Sequence, residues 1–166
     1  PARRNLEREA ASHGVAAARL VFAPEAPLAD HLARHALADL FLDTLPYNAH
    51  TTASDALWTG LPVLTLAGQS FAARVAASLL TAVGLESLIV QTPQQYEATA
   101  IHLANHRETL TAYRTQLQGQ RLSSPLFDGK RFTHDLEAAY RGMMDLHQSG
   151  LPCQTIVVPP SQHMSV

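Results

Sequence analysis

The stretch NAHTTASDALWTGLPVL, residues 48 to 64, sets a histidine and two threonines before a run of helical character and closes it with Gly-Leu-Pro. Polar groups so placed can do one of two things. A helix N-terminus leaves backbone N–H groups unpaired and carries roughly half a positive charge, so it holds a phosphate without any basic side chain. Thr51 and Thr52 would add hydroxyl donors there, and His50 a ring that donates to a phosphate or sugar oxygen. Alternatively, Thr52-x-x-Asp55 has the form of a capping box, in which Asp55 satisfies a backbone N–H and the polar groups serve only the helix. Spacing leaves both readings open.

The earlier stretch APEAPLADHLARH, residues 23 to 35, repeats the plan of strand, proline-bracketed turn and helix, with His31 and Arg34 on adjacent turns. The histidine could stack on a base, and the arginine could reach a phosphate or carboxylate. The competing reading is a solvated face with Asp30 and Arg34 as an i, i+4 pair. No G-x-G-x-x-G, G-x-x-x-x-G-K-[ST] or G-x-S-x-G occurs, and no Ser-His-Asp set can be assembled, which weighs against a dehydrogenase, a P-loop ATPase or a serine hydrolase. Asp39 and Asp43 flank or lie within a strand and read as edge or loop carboxylates. The nine histidines are scattered. His31 and His35 share i, i+4 spacing but lack a third ligand, so no metal is expected.

The elements that must position these groups alternate. RLVFAP (19 to 24), DLFLDT (39 to 44), PVLTLAG (62 to 68) and SLIVQ (87 to 91) are nearly uniform apolar runs, as strands covered on both faces require. Between them lie LADHLARHALA, TTASDALWTG and SFAARVAASLLTAVG, rich in alanine and leucine, two of them ended by glycine. The chain opens within a helix. After residue 92 the alternation gives way to one long helix or two, with Thr92 as N-cap and Pro93 at the first helical position. A closing helix is predicted over residues 131 to 150, and a proline-rich extended tail over 151 to 166. The fold class is α/β, a Rossmann-like parallel sheet flanked by helices, and such sheets bind ligands at the carboxyl ends of their strands.

The 166 residues suit one domain at ~100 to 200 residues each, here placed at 1 to 150. A net charge of −2, with Lys130 the single lysine, offers no basic block for nucleic acid. One cysteine, Cys153, makes no internal disulfide, which favours a cytoplasmic setting. No apolar run reaches the ~18 to 20 residues of a membrane span, and the start has no signal-peptide core. That start also lacks a methionine, so a preceding N-terminal portion is expected.

At these residues the chain resembles a known family. LADLFLDTLPYNAHTTASDALWTGLPVLTLAGQSFAARVAASLLTAVGL closely resembles the C-terminal catalytic region of the O-GlcNAc transferases, and RLSSPLFDGKRFTHDLEAAYRGM resembles its closing segment. The likeness runs from about residue 5 to residue 150 and suggests a bacterial member. It implies the C-terminal domain of a GT-B glycosyltransferase, which moves GlcNAc from UDP-GlcNAc to Ser or Thr hydroxyls of proteins with inversion and without a metal. By that resemblance Ala26 meets the uracil through its backbone, His31 stacks on it, and Asp55 approaches the ribose. Thr51 and Thr52 hold the diphosphate, His50 lies beside the phosphates or sugar, and Arg34 belongs to the same pocket. Leu28 departs from animal members, which carry a lysine near the ribose. The family's phosphate-binding lysine and glutamine, and the general base, would lie in an N-terminal half, expected to carry helical repeats. The alternatives are another UDP-sugar GT-B enzyme, a small-molecule glycosyltransferase or epimerase, and a non-catalytic nucleotide-sugar-binding module.

Overall fold

The computed structural model describes residues 1–159, which form two compact units divided after Ala33. In the first unit, α1 (Ala2–Ser12) is followed by a 3-10 turn over Ala17–Arg19 and by all but the last residue of α2 (Leu28–Arg34). Arg3 pairs with Glu7 at 2.9 Å, an i, i+4 pair, and its guanidinium lies over the Phe22 ring at 4.9 Å. RLVFAP, predicted as a strand, is not one: it starts inside the 3-10 turn and continues without ladder bonds. Apolar composition suits a strand, but a strand also needs a hydrogen-bonded neighbour, and Val21 stands 88% exposed.

The second unit is built on a parallel three-stranded sheet, β1 (Phe41–Leu42), β2 (Val63–Leu66) and β3 (Ile89–Val90), in spatial order 1-2-3. Phe41 and Leu42 face Val63 and Leu64, and Thr65 and Leu66 face Ile89 and Val90. All four residues of the central strand are buried, which explains its unbroken hydrophobic composition. The crossovers are helical: α3 (Thr51–Trp58) joins β1 to β2, and α4 (Val75–Ala82) joins β2 to β3. Ala53, Ala56 and Leu57 of α3 pack with Ala76 and Leu80 of α4 over Val63 in one core. Each leucine buried there contributes about 1.5 to 3 kcal/mol.

Both helices stop by the same device. Gly60 has φ +85°, and the N–H groups of Gly60 and Leu61 bond back to the carbonyls of Leu57 at 3.1 Å and Ala56 at 2.8 Å. A side chain at that left-handed φ would be strained, so the glycine is what ends α3. Trp58, just before this cap, is 36% exposed; Phe127 meets it edge-on at 5.0 Å and the Arg121 guanidinium covers it at 5.0 Å.

Thr92 caps α5 (Pro93–Asn105) by accepting from Gln95 N–H at 3.2 Å, as the Thr-Pro pair predicts. The long helical stretch is two helices: the backbone leaves helical geometry at His106, and α6 (Arg107–Gln120) follows. The closing helix, α7 (Gly129–Gln148), begins two residues earlier than predicted because Asp128 accepts from Arg131 N–H at 3.0 Å. Residues 151–159 have no regular secondary structure, and the rest of the predicted tail lies outside the described residues. Among the described residues, no helix is long and apolar enough to cross a membrane.

Candidate functional site

At the carboxyl end of β1 the chain must leave the sheet, turn, and start α3. One buried carboxylate organises that turn. Asp43, 4% exposed, accepts through Oδ1 from the N–H of Thr44 at 2.9 Å and of Ala49 at 2.7 Å, and through Oδ2 from the Thr65 hydroxyl at 2.7 Å. Asn48, 1% exposed, donates from Nδ2 to Thr65 Oγ1 and to the Leu66 carbonyl, both at 3.0 Å. Its Oδ1 is buried and has no partner among the described residues. Together these bonds tie the loop between β1 and α3 to the central strand. Asp43 is therefore not the edge or loop carboxylate expected from its position, because Thr65 and two loop amides converge on it.

Tyr96, at the start of α5, donates its hydroxyl to the Asp43 carbonyl at 2.7 Å. Burial, and then the negative charge of Asp43, push the Tyr96 phenol up from 10.0 to about 12. A phenol whose pKa is raised on folding contributes stability that is complete below pH 10 and is lost as pH rises towards 12. Urea midpoints followed across that window should fall more steeply for the parent chain than for Tyr96→Phe; parallel slopes would refute the assignment.

Above this floor an open groove of about 550 Å³ is lined by Thr44, Tyr47, Asn48, His50, Thr51 and Thr52, among others. The helix end here is not a capping box. His50 is the N-cap residue and makes no capping bond through its side chain, so Thr51 and Thr52 occupy the first two helical positions. Thr52 is thus two places too far inside the helix for the box. The His50 carbonyl takes both the Ala53 and Ser54 N–H groups at 3.1 Å, whereas the N–H groups of Thr51 and Thr52 bond to nothing among the described residues. Two exposed threonines with open N–H groups therefore line a groove at the start of a helix, an arrangement that favours an anion.

His50 is held on three sides. Its Nε2 lies 3.2 Å from the Ala72 carbonyl, Tyr47 stacks on the ring at 5.0 Å, and Phe71 meets it edge-on at 5.9 Å. The structure thus brings His50, Thr51 and Thr52 together. Asp55 is half-buried farther along α3, Arg34 is half-buried at the close of α2, and neither lines the groove. Ala26 and His31 belong to the first unit, both half-buried, and Leu28 there is 67% exposed. Among the described residues, no three His, Cys, Asp or Glu side chains gather as metal ligands.

Sequence reasoning missed Asn48, Thr65 and Tyr96. The available signal was a polar residue inside an otherwise apolar strand, Thr65 in PVLTLAG, which asks for a buried partner.

Residues 2–136 match the family described as Glycosyl transferase family 41. The chain is 42% identical over 142 residues to a probable UDP-N-acetylglucosamine–peptide N-acetylglucosaminyltransferase of Arabidopsis thaliana, covering 85% of this chain and 14% of that protein. It is 37% identical over 152 residues to the Caenorhabditis elegans UDP-N-acetylglucosamine–peptide N-acetylglucosaminyltransferase, covering 92% of this chain and 13% of the relative. Among solved structures, a mutant O-GlcNAc transferase of Thermobaculum terrenum superposes with a TM-score of 0.82 at 37% identity, covering 89% of this chain and 29% of that one. The chain spans less than a third of each of these proteins.

Proposed function

This chain belongs to glycosyl transferase family 41, and on that premise we propose that it is the donor-nucleotide domain, the C-terminal GT-B half, of a UDP-GlcNAc:protein O-GlcNAc transferase. The observation that carries the proposal is the open start of α3, where Thr51 and Thr52 line the groove and their N–H groups have no partner among the described residues. A diphosphate seated there meets hydrogen-bond donors and the positive end of the helix without a basic side chain.

Transfer breaks the bond from the sugar's anomeric carbon to the β-phosphate oxygen while an acceptor Ser or Thr hydroxyl attacks from the opposite face, inverting that carbon. Negative charge grows on the departing UDP, and donors fixed in advance stabilise it more in the transition state than in the ground state. Stabilising the leaving group is the role we give this chain. By the family resemblance, Ala26, His31, Arg34 and Asp55 are the further candidates for contacts to the nucleoside. The general base, the remaining phosphate ligands and the peptide-holding helical repeats are assigned to an N-terminal half, and the setting to the cytoplasm. The names of the relatives, and the small fraction of each that this chain covers, support that division.

The test is a calorimetric titration of UDP, with ADP as control, into the chain joined to its N-terminal half. UDP should bind selectively. Thr52→Val, exposed and isosteric, should weaken UDP about ten-fold, the worth of one hydrogen bond to a charged group, at unchanged melting temperature. Equal binding of ADP and UDP, or an unaltered affinity in Thr52→Val, would sink the reading.

A further inference from the structure

His50 lines the groove, yet one of its ring nitrogens is committed to the protein. A carbonyl only accepts, so Nε2, 3.2 Å from the Ala72 oxygen, carries a hydrogen. In the uncharged imidazole the other nitrogen is then an acceptor. Nδ1 has no protein partner among the described residues. Such a nitrogen repels an ionised phosphate oxygen, which has no hydrogen to give, and suits a hydroxyl.

What aims the Ala72 carbonyl is the loop after β2. Gly68 N–H donates to the Ala73 carbonyl at 2.9 Å, Ala73 N–H meets Ser70 Oγ at 3.2 Å, and Arg74 N–H closes on the Phe71 carbonyl at 3.0 Å. The loop folds on itself so closely at Gly68 that a Cβ there would lie 2.6 Å from Ala73 Cβ. Ala73 Cβ is fixed to the backbone, so no side-chain rotation relieves the overlap. The loop itself must shift, and the Ala72 carbonyl with it.

We propose that Gly68 is a positioning residue: its close approach to Ala73 sets the Ala72 carbonyl so that His50 stays the Nε2–H tautomer and offers Nδ1, as acceptor, to a hydroxyl of the transferred sugar. The identity of that hydroxyl rests on the donor-site reading above, while the tautomer rests on the loop alone. The Tyr47 and Phe71 rings keep the imidazole plane in place.

Two measurements on the chain joined to its N-terminal half decide the matter. With ¹⁵N-labelled histidine, long-range ¹H–¹⁵N spectra of the ligand-free protein should show His50 protonated at Nε2 and bare at Nδ1. Gly68→Ala should mix the tautomers, and Gly68→Ala with Ala73→Gly, which removes the opposing methyl, should restore the parent pattern. In titrations, Gly68→Ala should weaken UDP-GlcNAc by up to about ten-fold, one hydrogen bond, while UDP changes by less than about two-fold. A hydrogen on Nδ1 in the ligand-free parent protein overturns the proposal, as does a loss for UDP equal to that for UDP-GlcNAc. Failure of UDP to bind at all instead overturns the donor-site reading and the sugar hydroxyl with it, and the spectra still decide the tautomer.

Discussion

Asp43→Ala is expected to cost about 3 to 5 kcal/mol of folding stability, the scale seen when one partner of a buried charged network is removed. The substitution strands three donors at once: the N–H groups of Thr44 and Ala49 and the Thr65 hydroxyl. At 4% exposure, water cannot replace the carboxylate without opening the floor of the groove. Asp43→Asn should cost less, because an amide oxygen can still accept from the two N–H groups while its NH₂ faces the Thr65 hydroxyl. Urea denaturation of the three proteins should rank them parent, Asn, Ala. A loss below about 1 kcal/mol for the alanine variant would mean that the loop holds its shape by packing and not through Asp43.

Asn48→Asp should be nearly as damaging, by about 3 kcal/mol near neutral pH, for the opposite reason. The shape is kept, but both side-chain oxygens of the variant accept, while Nδ2 of Asn48 donates to Thr65 Oγ1 and the Leu66 carbonyl. A second buried carboxylate would also sit beside Asp43. Burial and a like charge both raise a carboxyl pKa, so the group added here has a folded pKa above its unfolded one. Its stability contribution is complete below the unfolded pKa and is lost as pH rises, so the deficit should shrink on acidification. Denaturation at pH 7.5 and pH 5 measures this directly; a deficit that grows at the lower pH would refute the reading.

The sequence carried the local parts of this architecture well. PVLTLAG reads as a buried strand because its whole length is covered, and Thr92-Pro93 reads as a helix start because cap and proline act within one turn. RLVFAP has the same composition and is no strand, since composition does not record whether a neighbour is present to bond. The site divides in the same way. His50, Thr51 and Thr52 were legible from adjacency, and the structure sets them on one groove. The bonds beneath them span 17 residues from Asn48 to Thr65, 22 from Asp43 to Thr65, and 53 from Asp43 to Tyr96. No periodicity reaches across such separations, so an aspartate at a strand end looked like a surface group. The capping-box reading failed by two positions, within the usual uncertainty of a helix boundary.

The chain's one tryptophan ends the helix whose other end opens on the groove, a rise of about 10 Å away over seven residues. Clasped by Arg121 and Phe127, the Trp58 indole emits from an environment set by the packing behind α3 and not by whatever occupies the groove in front of it. Its fluorescence is thus a native optical reporter of folding. Melting of the Asp43 and Asn48 variants can be followed through it with nucleotide present, keeping the spectroscopic signal of unfolding apart from that of occupancy.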